Sequence, residues 1–197
     1  MDNQNKYVKD MTVGTPYKLL LAFAIPLLIG NVFQQLYNMV DSIVVGYYVG
    51  DNALAAVGAS GPIMNLLLVL FMGISVGASV MVSQYFGAKD RERLEKTVGT
   101  TLTATVVSSI FIMIVGPLIT PPVMSALSTP PEIYDMACTY LVILFAGIVG
   151  SAFYNILSGV LRGLGDSVTP VVFLIIACLL NIVLDVWFVA GFHWDVA

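Results

Sequence analysis

The chain has few charged residues and few of the residues that bind transition metals. Only 10% of its 197 residues are Asp, Glu, Lys or Arg, and eight of these are basic. So few cations cannot build the basic patch that binds nucleic acid. The sequence has one histidine, His193, and two cysteines, Cys138 and Cys178, which both lie inside apolar runs. We therefore expect no zinc site, and we interpret the cysteines as small core residues rather than a disulfide.

Positive charge is also missing from two long stretches. The basic residues fall in three short patches: Lys6, Lys9 and Lys18; Lys89, Arg91, Arg93 and Lys96; and Arg162 alone. The first two patches are separated by 70 residues, and the second and third by 65. Because about 20 helical residues cross the hydrocarbon of a bilayer, each stretch can hold two membrane helices and a turn. If basic loops stay in the cytoplasm, each stretch goes out and comes back, and a fifth helix runs outward after Arg162.

Apolar side chains are what the chain has in abundance. A hydrophobic fraction of 58% and a mean hydropathy of +0.93 are typical of a protein that crosses the membrane several times. We predict an all-α membrane bundle with five transmembrane helices, at about 19–47, 53–86, 94–120, 133–161 and 168–190. Residues 1–18 are predicted to be a cytoplasmic amino-terminal segment, and 191–197 an outer loop. The first apolar run exceeds the apolar core of a signal peptide, so we expect it to stay in the protein.

Small residues recur at the spacing that lets helices pack closely. Gly73 and Gly77 form a G-x-x-x-G pair, and Gly159 and Gly163 form another. We expect both pairs to lie at helix contacts. Pro26, Pro62 and Pro117 lie inside the long predicted helices and are candidate kink positions. Kinks are expected because several of the predicted helices are longer than a straight crossing of the membrane requires.

Two predicted turns carry signals for where the next helix begins. The sequence 163–167 reads GLGDS, and we expect Asp166 or Ser167 to cap the fifth helix. In the second basic patch, Glu92 and Lys96 are four residues apart, which favours an ion pair on one helix face. The third helix is therefore predicted to begin before the membrane does.

Two carboxylates lie inside the predicted spans. Asp41 is about six residues from the outer end of the first helix and Asp185 about five from that of the fifth, so both lie roughly 8 to 9 Å below the outer surface. Asn181 precedes Asp185 by one turn and lies on the same face. Tyr140, on the inward-running fourth helix, reaches a similar depth and can donate its hydroxyl. We predict that these four residues form a cation-coupling site.

The chemistry of such a site follows from the cost of burying charge. An ionisable group inside a membrane segment costs at least about 2 to 3 kcal/mol, so it tends to face the bundle interior or a wet cavity. Two nearby carboxylates raise each other's proton affinity, and an approaching cation lowers it again. Asp41, Asn181 and Asp185 offer hard oxygen ligands for Na⁺, and the same acids could instead share a proton. The alternative is that each acid is interfacial and points outward.

Neutral polar residues mark a possible substrate cavity. Gln34, Gln35 and Asn38 lie on the first helix and Asn155 on the fourth. They could line a cavity, or they could form hydrogen bonds between helices. Several methionines could supply an adaptable apolar wall, although core filling is the simpler interpretation.

Several segments together resemble a known transporter family. They are Pro26, Gln34-Gln35, Asp41 with Gly46, the segments 54–58 (LAAVG), 84–90 (QYFGAKD) and 161–170 (LRGLGDSVTP), and the N-x-x-x-D pair at Asn181 and Asp185. In this order and spacing they resemble the amino-terminal half of a multidrug and toxic compound extrusion (MATE) transporter, from about Thr15 to the last residue.

The resemblance implies twelve helices in two six-helix lobes in a plasma membrane or cell inner membrane, with no enzymatic activity and no cofactor. Small organic cations are expelled in exchange for H⁺ or Na⁺. In many prokaryotic members an aspartate on the first helix and an Asn-x3-Asp pair on the fifth couple the cation, which match Asp41, Asn181 and Asp185. The sequence ends at Ala197, before a sixth helix and a second lobe, so we interpret it as a fragment of such a transporter.

Three other functions are weighed against export. A lipid-linked oligosaccharide flippase of the same superfamily would favour a cationic cavity, but no Lys or Arg lies within an apolar span. An intramembrane aspartyl protease would need the carboxyls of Asp41 and Asp185 about 3 Å apart with a water between them. A non-transporting membrane subunit is the interpretation that a chain truly ending at Ala197 would favour.

Overall fold

Five long α-helices make up the described structure. The computed structural model describes residues 14–48, 50–185 and 187. The helices are α1 (Pro16–Tyr48), α2 (Asp51–Gly87), α3 (Arg91–Ala126), α4 (Pro131–Gly163) and α5 (Val168–Asp185). The first four are long and apolar enough to cross a membrane, and α5 is a shorter apolar helix. The predicted all-α bundle of five membrane helices is confirmed.

The helix ends differ from the predicted spans at a few places. The third helix was predicted to end at Thr120, yet α3 continues through Pro121 and Pro122 to Ala126. A proline lacks a backbone hydrogen-bond donor, but here the Tyr134 hydroxyl from α4 donates to the Pro121 carbonyl at 2.9 Å and helps to hold this last part of α3. The predicted end of the fifth helix at residue 190, and the segments 1–13 and 191–197, lie outside the described residues.

The core of the bundle is built around α4. Its buried side chains recur every three or four residues along one stripe: Ala137, Leu141, Phe145, Ile148, Ala152 and Ile156. This periodicity places them on one helix face. Helix α4 makes its largest contact with α2 and its next largest with α3. The three helices α2, α3 and α4 therefore form one packed unit.

Glycines set the closest approach within this unit, but only one of the two predicted pairs does so. A Cβ added at Gly159 would collide with the Ser75 hydroxyl, and one at Gly163 would lie 2.7 Å from the Ser79 carbonyl oxygen. The Ser75 hydroxyl also donates to the Asn155 carbonyl at 2.6 Å. The prediction for Gly73 and Gly77 is wrong for this part of the chain, since a Cβ at either position meets nothing within 4 Å. These two glycines lie on the opposite, exposed face of α2.

Hydroxyl side chains inside the packed unit are satisfied locally. The buried residues Ser60, Thr105, Ser109 and Thr120 each donate a hydrogen bond of 2.6–2.8 Å to the carbonyl four residues earlier. A polar group buried without a partner is costly, and these bonds remove that cost. The donor of each of these hydroxyls is therefore already used within its own helix.

Helices α1 and α5 pack mainly against each other. Each makes much smaller contacts with the unit of α2, α3 and α4. Gly30 is buried at the α1–α5 contact, where its missing side chain leaves room for Val171 and Leu174. Asp41 follows Gly30 by 11 residues on α1 and Asn181 follows Leu174 by seven on α5, so both lie beyond this contact toward the later ends of their helices.

Two turns are capped by acids. At the start of α3, Asp90 accepts a hydrogen bond from the Arg93 backbone nitrogen at 3.1 Å. The predicted Glu92–Lys96 pair forms, with 2.7 Å between Nζ and Oε1, although both side chains are exposed. At the start of α5, Asp166 and not Ser167 accepts the backbone hydrogens of the first turn. The capping prediction is thus resolved in favour of Asp166.

Candidate ion-coupling and substrate site

Asp41 lies on α1, two turns before the helix ends at Tyr48. The residue is half-buried, and its neighbour one turn on, Val44, is buried. A carboxylate on the same helix face as a packed valine is directed at the bundle and not at lipid. The structure therefore places Asp41 on the inner side of α1.

Tyr140 lies on α4, on the side of the bundle that Asp41 also approaches. It is half-buried beside the core residue Leu141 and lies within long-range electrostatic reach of Asp41. Within the described residues the two side chains share no hydrogen bond, and α1 and α4 share no backbone contact. The structure thus places two of the four predicted site residues near each other but not in contact.

Asn181 supplies an oxygen that has no partner. Its carboxamide oxygen Oδ1 is buried and accepts no hydrogen bond within the described part of the chain. An unsatisfied buried acceptor typically costs about 1–3 kcal/mol, and in native structures it calls for an explanation such as a bound ion or water. Asp185 follows one turn later as the last residue of α5, and its side chain lies outside the described part of the chain.

The electrostatics of the site lack a fixed positive partner. The three ion pairs among the described residues, Arg91–Glu95, Arg93–Asp90 and Lys96–Glu92, all lie at the turn between α2 and α3. All six of these side chains are substantially exposed, so the pairs contribute little to stability. Since α1 carries no Lys or Arg after Lys18, the carboxylate of Asp41 has no basic residue on its own helix face.

A second face of α1 carries the predicted cavity amides. Gln34, Gln35 and Asn38 are exposed, and the Asn38 amide donates to Gln35 Oε1 at 3.3 Å. An open groove of about 380 Å³ runs along this face. Its lining residues are Leu28, Asn31, Val32, Gln35, Leu36 and Met39. The groove is therefore largely apolar, with two amides placed one turn apart.

Asn31 was not predicted as a site residue, although the sequence carries a signal for it. It precedes Gln35 by four residues and so lies on the same helix face. Asn155, which was predicted, does not join the groove. It lies half-buried on α4, and its amide donates to the Ser151 carbonyl of its own helix at 2.8 Å.

Comparison with known proteins identifies the family. The sequence model of the MatE family matches residues 26–187. The chain belongs to the MatE family. It is 34% identical over 168 residues to the probable multidrug resistance protein YoeA of Bacillus subtilis, covering 85% of this chain and 36% of that protein. The probable multidrug resistance protein YpnP of the same organism is 32% identical over 188 residues, which is 95% of this chain and 42% of that protein.

A solved structure agrees with the fold. A MOP superfamily transporter from Pyrococcus furiosus superimposes with a TM-score of 0.90 at 30% identity, over 98% of this chain and 42% of that one. Members of the MatE family are transporters and not enzymes, and the chain is a multi-pass membrane protein. It spans about two fifths of the length of the relatives that it matches, as one lobe of a two-lobed transporter would.

Proposed function

We propose that this chain is the amino-terminal lobe of a secondary-active antiporter that exports cationic or amphipathic drugs in exchange for H⁺ or Na⁺. The relatives named as multidrug resistance proteins support drug export. The observation that carries the coupling role is the carboxylate of Asp41, which lies near Tyr140 without a basic partner on its helix. A charge held this way in a membrane must be neutralised, and an exchangeable cation can do so.

In this proposal the coupling cation binds where α1 meets α5. Asp41 supplies the charge, and the buried, unpartnered oxygen of Asn181 supplies a neutral ligand. Asp185 adds a second carboxylate one turn away, and the Tyr140 hydroxyl supplies a nearby dipole that acts on Asp41 electrostatically. Carboxylate and amide oxygens suit Na⁺, and the same acids can hold a proton.

The proposed substrate site lies along the exposed face of α1. A groove of about 380 Å³ falls within the size range of small-molecule pockets, about 300–1,000 Å³. Its apolar lining would contact the rings and chains of an amphipathic drug, while the lining amides Asn31 and Gln35 orient its polar groups. Asn38 would act only through its hydrogen bond to Gln35, and Gln34 and Asn155 do not line the groove. Because one helix lines the groove, the rest of the wall must come from a second lobe or a sixth helix.

The proposed location is the plasma membrane, with the amino terminus in the cytoplasm. Its support is that the described basic residues, which are Lys18, the patch from Lys89 to Lys96 and Arg162, all lie at one set of helix ends. This orientation puts Asp41 and Tyr140 near the outer surface and the Asp166 turn near the cytoplasm.

The coupling role can be tested in vesicles that contain the full-length protein. Asp41→Asn keeps the size of the side chain but removes its charge, so we expect drug export driven by a pH or Na⁺ gradient to fall about tenfold or more, as when a ligand shell is disturbed. Asp51→Asn is a matched control, since Asp51 is an exposed acid near the same membrane surface. Wild-type export by Asp41→Asn under both gradients would refute the coupling role. If only a Na⁺ gradient, or only a proton gradient, drives drug export by the wild-type protein, that result identifies the coupling ion.

A further inference from the structure

The turn between α4 and α5 is organised by one buried acid. Asp166 is 2% exposed. Its Oδ1 accepts hydrogen bonds from the backbone nitrogens of Val168 at 3.0 Å and Thr169 at 2.9 Å, and its Oδ2 accepts from the Thr169 hydroxyl at 2.6 Å. Both carboxylate oxygens are thus used by the first turn of α5. A negative charge at this end is also favoured by the helix dipole.

The backbone of the same residue closes α4. The Asp166 nitrogen donates to the Leu161 carbonyl at 2.9 Å and the Gly165 nitrogen to the Arg162 carbonyl at 3.0 Å. Gly165 has a φ of 87°, so the six residues 161–166 form a Schellman motif with glycine at its left-handed position. Asp166 therefore ends one helix with its main chain and begins the next with its side chain.

Few other contacts hold α5 to the packed unit. The Tyr154 hydroxyl of α4 donates to the Pro170 carbonyl at 3.2 Å, close to the turn. Beyond this point α5 packs mainly on α1 and only slightly on α4. The direction of α5 relative to α4 is consequently set near its first turn.

That direction matters for residues at the far end of the helix. Asn181 follows Asp166 by 15 residues, which is about 22 Å at 1.5 Å per residue. A rotation of α5 by about 10° at the turn would displace Asn181 by about 4 Å, more than the length of a hydrogen bond. The same rotation leaves α4, and with it Tyr140, in place.

We propose that Asp166 is a positioning residue that sets the direction of α5 and so the position of Asn181 near the far end of that helix. The consequence for ion coupling rests on the proposed function, while the placement of α5 does not. Asp166 acts through the helix and does not touch the ion.

Two native cysteines report on this placement. Cys178 is buried on α5, three residues before Asn181, and Cys138 lies on α4 in the packed unit. Each can be followed alone, in versions of the full-length protein in membranes that keep only that cysteine and replace every other one by serine, by its rate of reaction with N-ethylmaleimide. Asp166→Ala should make Cys178 react about fivefold faster, because losing a helix N-cap shifts a local opening equilibrium by about that factor. The rate at Cys138 should not change.

Conservative variants separate positioning from general loss of structure. Asn is as good an N-cap as Asp, so Asp166→Asn should restore the slow rate at Cys178. Ser167→Ala removes the neighbouring buried hydroxyl and should leave both rates as in wild type. If both cysteines react faster in Asp166→Ala, that variant has lost structure generally, and Thr169→Val is used instead. It removes only the hydroxyl that donates to Asp166 Oδ2. Faster reaction of Cys178 alone in Thr169→Val supports the proposal, and any other pattern overturns it.

The link to ion coupling has its own measurement. Asp166→Ala should raise the Na⁺ or H⁺ concentration that gives half-maximal export, and Asp166→Asn should reverse the shift. A wild-type rate at Cys178 in Asp166→Ala refutes the positioning role whatever the transport result. If Cys178 reacts faster in Asp166→Ala but Asp41→Asn exports normally, the role of Asp166 in placing α5 is supported and the proposed coupling site is refuted.

Discussion

Whether a glycine-to-alanine substitution stabilises or destabilises this protein should depend on which helix face the glycine occupies. Gly159, at the contact between α2 and α4, is the case where we expect destabilisation. A Cβ at Gly159 would lie 2.7 Å from the Ser75 carbonyl oxygen, in addition to its collision with the hydroxyl. The carbonyl belongs to the backbone of a packed helix and cannot turn aside. Gly159→Ala must therefore push α2 and α4 apart, and it also strains the hydrogen bond from Ser75 to the Asn155 carbonyl.

The magnitude follows from two opposing effects. Overpacking a filled core costs about 1–3 kcal/mol. Replacing a mid-helix glycine with alanine favours the helix by about 0.5–1 kcal/mol. We expect Gly159→Ala to lower the free energy of unfolding by up to about 2 kcal/mol, which corresponds to a fall in Tm of a few degrees for a chain of this size. Gly159→Leu should prevent folding in good yield.

Gly73→Ala is the matched control, because a Cβ there meets nothing within 4 Å on the same helix that carries Ser75. Only the helix-propensity effect remains, so its Tm should equal or exceed that of wild type. The assay is thermal unfolding in detergent, followed by helical circular dichroism or by loss of monodisperse protein in gel filtration. A Gly159→Ala variant as stable as Gly73→Ala would refute the packing argument.

Two further predictions concern topology and the ion site. In a version without native cysteines, single cysteines at Asp51 or Ser128 should react with an impermeant thiol reagent added outside the cell, while one at Arg91 should not; the reverse pattern would overturn the orientation. Tyr140→Phe removes the hydroxyl near Asp41 and keeps the ring, so we expect it to shift the ion concentration for half-maximal export several-fold without changing Tm by more than about 2 °C. An unchanged ion dependence would show that Tyr140 only fills space.

The positions of the helices could be predicted because they depend on local composition. Gaps between basic patches and apolar length are properties of the chain alone, so the five helices fall close to the predicted spans. The predicted cap at Asp166 is likewise local, since it accepts hydrogen bonds from residues two and three positions later. The cap at Asp90 is equally local, but it was not predicted. Local sequence does not predict which of the two glycine pairs lies at a helix contact. Gly73 with Gly77 and Gly159 with Gly163 have the same spacing, and only the tertiary contact of α2 with α4 distinguishes them.

In the candidate site, the depth of each residue in the membrane could be predicted, but the direction of its side chain could not. Helix length gave a common depth for Asp41 and Tyr140, and the structure brings their side chains within electrostatic range. The depth of a residue in the membrane does not predict that the Asn155 amide donates a hydrogen bond within its own helix. Nor does it predict that Asn31 shares a groove with Gln35. Both depend on the rotation of a helix about its axis, which neighbouring helices decide.

The exposed amides of α1 give a reason to expect a partner surface along this helix. Asn31, Gln35 and Asn38 follow one another at intervals of four and three residues on a face that the described bundle leaves uncovered. Hydrocarbon offers no hydrogen-bond partners, so three amides facing lipid would each cost several kcal/mol. An isolated amide can satisfy part of this need within its helix, as the bond from Asn38 to Gln35 does, but one such bond leaves most donors and acceptors open. This face therefore fits a water-filled cleft or a second protein surface, and that requirement holds whichever drug or ion the full-length protein carries.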